Sequence, residues 1–196
     1  MKKFFAALVA ALSLTGVAAA DVHVNGTGSV PVTPDNAVIS VVVTTNGENT
    51  GAAVKSNAAD STKVFNLLKD SYKIADADIC THTFSVNPVH EQDAKGNWTN
   101  RIASWNAVNY MTVTVRDTSK AGDILGAVGS IKGNTVQVKG IHFVVSDTLR
   151  QKTLNEARQL AVKDAESRAR NYVTTAGAEL GLVKEIREQD VYVPQY

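Results

Sequence analysis

The sequence predicts an α+β fold: a ferredoxin-like βαββαβ core with an added N-terminal strand and a C-terminal long helix plus strand. Three observations predict it. Val/Ile/Thr-rich segments with two-residue alternation interleave with segments of helical periodicity. Their order is β-β-α-β-β-α-β-α-β, and from the second strand onward β-α-β-β-α-β is the split-βαβ pattern. The 196 residues, 44% hydrophobic and 20% charged, are near the globular average, and no Pro/Gly/Ser-rich linker divides them.

The first twenty residues read as an address. Met1-Lys2-Lys3 is a positive n-region, Phe4 to Val17 an apolar run, and Ala18-Ala19-Ala20 a small-residue cleavage pattern. A secretory signal peptide cleaved before Asp21 is expected, leaving residues 21–196 as one exported, periplasmic domain. The apolar run is shorter than the about 20 residues a membrane span needs, so no stable membrane insertion is expected.

Val22 to Val32 reads as a strand bent at Gly26 and Gly28. Pro34-Asp35 is a turn. Asn36 to Thr45 has apolar residues on both faces and reads as a central strand. Thr50 to Tyr72 is a helix with Thr50 as N-cap and a stripe of Val54, Ala58, Ser61, Phe65 and Leu68. Ile79 to Val89 and Ile102 to Val115 are strands of a long hairpin, joined by the polar loop Glu91 to Asn100. Thr118 to Ile131 is a short helix and Val136 to Val145 a strand. Leu149 to Ala176 is a long helix whose stripe runs through Leu154, Ala157, Ala161, Ala165, Ala169, Val173 and Ala176. Small side chains there suit close packing on a sheet. Gly177 is its natural stop, and Val183 to Val193 is the last strand.

Charge and chemistry exclude several functions. With 20 basic and 19 acidic residues, no basic field for nucleic acid is expected. A lone cysteine, Cys80, excludes an intramolecular disulfide and a CxxC zinc pair. Gly26-Thr27-Gly28 lacks the third glycine and following helix of a dinucleotide loop, since Val30-Pro31-Val32 continues as strand. Cys80 and His82 share a strand face, but two ligands do not make a metal site. A half-buried thiol beside a surface or packed histidine is expected, and His23, His90 and His142 stand singly. Glu156, Asp164 and Glu166 intermix with Arg158, Lys163, Arg168 and Arg170, which suits a solvated helix face. No catalytic residue, cofactor-binding residue or metal ligand is assigned, and no cofactor.

The aromatics point elsewhere. Trp98 lies in the polar loop at the hairpin tip and Trp105 on the strand that follows; Tyr192 and Tyr196 lie in the tail. Exposed aromatics mark protein contacts, and an uncovered strand edge is a template for pairing. Trp98 and Trp105 are the candidate self-association residues, and a homo-oligomer, with a further protein partner, is expected.

Val24-Asn25-Gly26-Thr27-Gly28 and Pro34-Asp35 resemble the opening of the SIMPL domain. The resemblance continues through Phe84-Ser85-Val86-Asn87-Pro88, Asn109 to Val115 with Arg116-Asp117, and Gly140-Ile141 with Phe143. It is densest at Glu156-Ala157-Arg158, Ala161, Asp164-Ala165, Ala169, Ala176-Gly177 and Leu180-Gly181. It covers essentially all of the chain after residue 20. Val89-His90 departs from it, where relatives often carry a tyrosine shortly after the proline. The resemblance implies an exported α+β protein prone to assemble, with a stress-protective role (oxidative stress) and no enzyme activity. The rival reading is a small-molecule binder or enzyme with a cleft between the core and the C-terminal helix-strand unit.

Overall fold

The computed structural model describes residues 21–131, 133 and 135–189. The expected leader, and Tyr192 and Tyr196, lie outside the described residues. The described residues fall into two compact units, one of 30–156 with 187–189 and the other of 21–29 with 157–186.

The first unit is built on a four-stranded antiparallel sheet in the order β2-β3-β1-β4. These are β1 (Asn36–Gly47), β2 (Ile79–Gln92), β3 (Trp98–Val115) and β4 (Val136–Val144). Helices α1 (Thr50–Asn66) and α2 (Ala121–Gly129) pack on one face of this sheet. Period-2 alternation selects that face: Ala37, Ile39, Val41 and Val43 of β1 are fully buried. Across the ladder, Val115 stands opposite Ala37 and Val113 opposite Ile39. Val64 and Leu68 from the α1 segment, with Ile124 and Val128 from α2, close the core. Each such side chain gains roughly 1.5–3 kcal/mol by leaving water. β1 pairs with both β3 and β4 and Val42 on its other face is also buried, as a central strand requires.

Polar groups lock α1 onto this sheet. The buried Asn57 amide donates to the carbonyls of Val43 at 2.9 Å and Ala107 at 3.0 Å, one from each of two paired strands. Thr45 donates to the Ala53 carbonyl at 2.9 Å. The N-cap of α1 is Asn49, not Thr50: its Oδ1 accepts the Ala52 N–H at 2.9 Å. The helical run reaches Tyr72 as expected, but after Asn66 its hydrogen bonding widens into a π-turn over Leu67–Ser71. Lys73 then enters the left-handed region at φ 58°, and the Ile74 N–H returns to the Leu68 carbonyl. That i→i−6 bond closes the widened π-turn, with a lysine in the left-handed position where glycine is usual.

Helix α3 (Asp147–Thr175) starts at a built cap. Ser146 Oγ accepts the Leu149 N–H, and Asp35 accepts both the Ser146 N–H at 2.6 Å and the Ser146 hydroxyl at 2.7 Å. Partial burial pushes the Asp35 carboxyl up, but the two bonds from Ser146 outweigh it and hold it below the ordinary 3.8. A carboxyl depressed in the fold adds stability above its unfolded pKa and loses it as pH falls through the folded value. Asp35→Asn is therefore expected to cost about 1–2 kcal/mol at pH 7. That difference should shrink as the pH drops below 3.8. Urea unfolding of both proteins at pH 7 and pH 3 checks this, and a constant difference would contradict it.

The second unit corrects two expected strands. Residues 22–32 join no sheet; through Gly28 the extended chain lies on the backbone of α3. An added Cβ on Gly26 would sit 1.9 Å from the Ala161 carbonyl, and one on Gly28 2.0 Å from that of Ala157. The alanine stripe of α3 thus receives this segment, where a sheet was expected. Thr27 donates its N–H to Asp164 at 2.9 Å, so a helix side chain does the work of a ladder partner. Residues 183–189 likewise form no strand; 190–193 lie outside the described residues. Lys184 pairs with Asp21. Gly177, at φ 73°, ends α3 as expected.

Candidate interaction surface

β1 accompanies β3 only from Val115 to Trp105, where Gly47 is its last partner. Beyond that point β2 and β3 pair with each other alone, Val89 with Ser104, His90 with Ile102 and Gln92 with Trp98. The hairpin therefore continues as a two-stranded arm past the end of β1. Such a ribbon is marginal in water unless something covers it.

The turn is tighter than the expected loop. Asp93 Oδ1 accepts the N–H groups of Lys95 at 2.8 Å and Asn97 at 2.9 Å, and the Asp93 N–H donates to the Asn97 carbonyl at 2.8 Å. The Asn97 N–H, then its side chain, hold the Asp93 carboxyl below its ordinary range. Gly96 supplies the left-handed residue at φ 83°. With the turn confined to 93–97, Trp98 is the first residue of β3, not a loop residue.

Val86, Pro88, His90 and Gln92 alternate on one side of β2. Their partners across the hairpin are Ala107, Trp105, Ile102 and Trp98. Ala107 is buried in the face covered by α1. The stripe Trp105, Ile102, Trp98 continues that apolar face outward along the arm. Trp105 is half-buried, and Trp98 is 69% exposed. The structure thus places both candidate residues on one side of one hairpin.

Cys80 is exposed rather than half-buried. His82 occupies a bulge, since Thr81 pairs with Met111 and Thr83 with Tyr110. Its Nε2 lies 2.6 Å from Thr112 Oγ1. Among the described residues no group of three His, Cys, Asp or Glu side chains comes together. Cys80→Ser is expected to leave stability within about 0.5 kcal/mol; chemical unfolding checks it, and a larger loss would reveal a buried role for the thiol.

Two polar anchors escaped sequence reasoning. Arg116 clamps Asp78 through Nε and Nη2, both at 2.8 Å, tying the end of β3 to the turn before β2. Asn57 holds α1 to β1 and β3. The first pair is separated by 38 residues and carries no local pattern. Asn57 lies one residue before Ala58 of the apolar stripe, where a polar residue reads as solvent-facing.

The SIMPL family, described as a protein of unknown function (DUF541), matches residues 22–196. The chain belongs to the SIMPL family. Among its relatives, the 26 kDa periplasmic immunogenic protein of Brucella melitensis biotype 1 is 29% identical over 171 residues. The Brucella abortus (strain S19) protein of the same name is also 29% identical over 171 residues. In both comparisons the match covers 86% of this chain and 66% of the relative, so the SIMPL chain spans just under two thirds of the Brucella proteins. A protein from Edwardsiella ictaluri, Uncharacterized protein YggE, is 27% identical over 199 residues, covering 95% of this chain and 80% of the relative. No helix of the SIMPL chain's described residues is long and apolar enough to cross a membrane.

Proposed function

We propose that this SIMPL chain is an exported periplasmic, non-enzymatic protein that self-assembles through the β2–β3 arm and serves a stress-protective or interaction role. The observation that carries the reading is the arm itself, a two-stranded ribbon bearing Trp98, Ile102 and Trp105 on one side. Large aromatics bury much area while immobilising few rotors, which suits them to anchor a contact. Export is supported by the leader-like first twenty residues and by the word periplasmic in the names of the Brucella relatives. The rival reading is a small-molecule binder or enzyme, and a small pocket of about 30 Å³ is lined by Val32, Val145, Arg150, Thr153 and Leu154. The sheet order, with β3 between β2 and β1, supports the split-βαβ, ferredoxin-like reading of the core.

Trp98→Ala, or replacement of residues 92–100 by a tight turn, is expected to weaken self-association about tenfold or more without unfolding the monomer. Sedimentation velocity over a concentration series decides it. A monomeric wild type, or identical assembly of wild type and variant, overturns the proposal.

A further inference from the structure

The sheet has two outer strands, β2 and β4, and their edges differ. β4 is the shorter, and Lys139 stands in a bulge at its middle, where the register slips between Ser40 and Val41. A bulge and a lysine are usual guards against edge pairing. β2 has no charged guard: from Ile79 to Val89 it carries no Asp, Glu, Lys or Arg. Its outward side is interrupted at the bulge of His82, between Thr81 and Thr83, and at Pro88. Pro88 has no N–H to offer, so its nitrogen is turned away from β3. Between these interruptions, Thr83 to Asn87 is an edge of about 16 Å at roughly 3.3 Å per residue. It pairs with β3 on one side and with no described residue on the other.

This edge is complementary to itself. Val86 stands opposite the buried Ala107, and Phe84 opposite Asn109, whose amide donates to Ser61 of α1. Both side chains therefore lie on the α1 side of the sheet, where Phe84 is 47% exposed. Thr83, Ser85 and Asn87 lie on the other side and are polar. Ser85 is the midpoint of the stretch, with the His82 bulge and Pro88 equally far from it. A two-fold axis at Ser85 sets the bulge of each copy against the proline of the other. It also sets Phe84 of each copy against Val86 of the other, apolar on apolar. The backbone agrees: with Pro88 turned outward, the alternation along the strand turns Phe84 and Val86 outward as well.

We propose that two copies of this chain join through β2 in an isologous, antiparallel pair centred on Ser85, making one continuous sheet of both. This rests on the self-association reading and names its contact. Main-chain hydrogen bonds run between Phe84 of each copy and Val86 of the other, and their side chains close an apolar strip on the α1 side. Beyond Pro88 the arm of each copy lies along the first residues of the other copy's β2. The two-stranded ribbon thereby gains a third strand. Such a contact closes as a dimer and leaves no β2 edge for a third copy.

The test is disulfide trapping in the full exported chain carrying Cys80→Ser, which removes the native thiol. Ser85→Cys in that background puts two thiols in a non-hydrogen-bonded pair, with Cα atoms about 4.5 Å apart. Thr83→Cys is the control, since its two Cα atoms stand about 13 Å apart along the strands, beyond disulfide reach. With diamide as oxidant, at a concentration where the wild type assembles, Ser85→Cys is expected to form a covalent dimer at least about tenfold faster than Thr83→Cys. Amide hydrogen exchange of the wild type is the second readout and needs no substitution. The Phe84 and Val86 amides are expected to slow on assembly and to exchange freely in the monomer. Protection that persists in the monomer overturns the proposal in favour of a partner within one chain. Equal trapping of the two variants, or none at Ser85→Cys in a sample that assembles, overturns it while leaving self-association standing. A wild type that stays monomeric overturns both.

Discussion

Asn57→Ala is expected to lower the unfolding free energy by about 3 kcal/mol, more than any exposed polar substitution on the chain. Its amide is fully buried and donates to the carbonyls of Val43 and Ala107. Its Oδ1 accepts the Ser61 hydroxyl at 3.3 Å, and that same oxygen of Ser61 accepts from Asn109 at 3.0 Å. Alanine leaves two buried carbonyls and one hydroxyl short of a partner, at a cost of roughly 1–3 kcal/mol for each group that water cannot reach. The penalties do not add fully, because the groups share one network. Asn109 Oδ1 already lacks a partner, so the network has no spare donor to redirect. The control is Asn46, whose Oδ1 accepts from Asn106 at 2.8 Å in an exposed position. Asn46→Ala should stay within about 0.5 kcal/mol. Equal losses in urea unfolding would mean that burial is not what makes Asn57 matter.

What was legible in the sequence divides along the same physical line. The strands β1 and β3 were readable because one buried face forces a two-residue alternation that no other element produces. The alternation at Val22 to Val32 was readable too, but its meaning was not. An extended segment shows the same pattern whether its backbone meets a sheet or, as here, the alanine stripe of α3. The tip of the hairpin was blurred for a different reason. Asp93 gathers the N–H groups of Lys95 and Asn97 into a tight turn, so half of a stretch that looks like a polar loop is strand. Trp98 and Trp105 were legible as aromatics in exposed surroundings, but their common side follows from register shifts along the arm, which composition does not encode. The residues that carry the SIMPL resemblance fare best: Gly26, Gly28, Asp35, Ala157, Ala161 and Asp164 are contact residues in the structure. Their small size or single carboxylate is what each contact requires.

Two glycine-to-alanine substitutions are expected to move stability in opposite directions, and the larger effect lies at Gly28. A Cβ there would stand 2.0 Å from the Ala157 carbonyl oxygen and 2.7 Å from the Ala161 nitrogen. Both neighbours are helix backbone, so neither can swing aside as a flexible side chain would. The extended segment must lift away from α3 instead, and it takes with it the bond from the Thr27 N–H to Asp164. That bond, then Arg168, holds the Asp164 carboxyl below its ordinary range in the wild type. Overpacking of this kind costs typically about 1–3 kcal/mol. Limited proteolysis should report it first, as faster cleavage between residues 21 and 29. Gly126 offers the contrast, since it lies inside α2 with no atom within 4 Å of an added Cβ. Alanine there removes unfolded-state freedom and suits the helix, for a gain of about 0.5–1 kcal/mol. The same chemical change is thus a clash where two backbones meet and an improvement where a helix faces open space. A Gly28→Ala protein as stable and as protease-resistant as the wild type would show that the segment is not held by close backbone contact with α3.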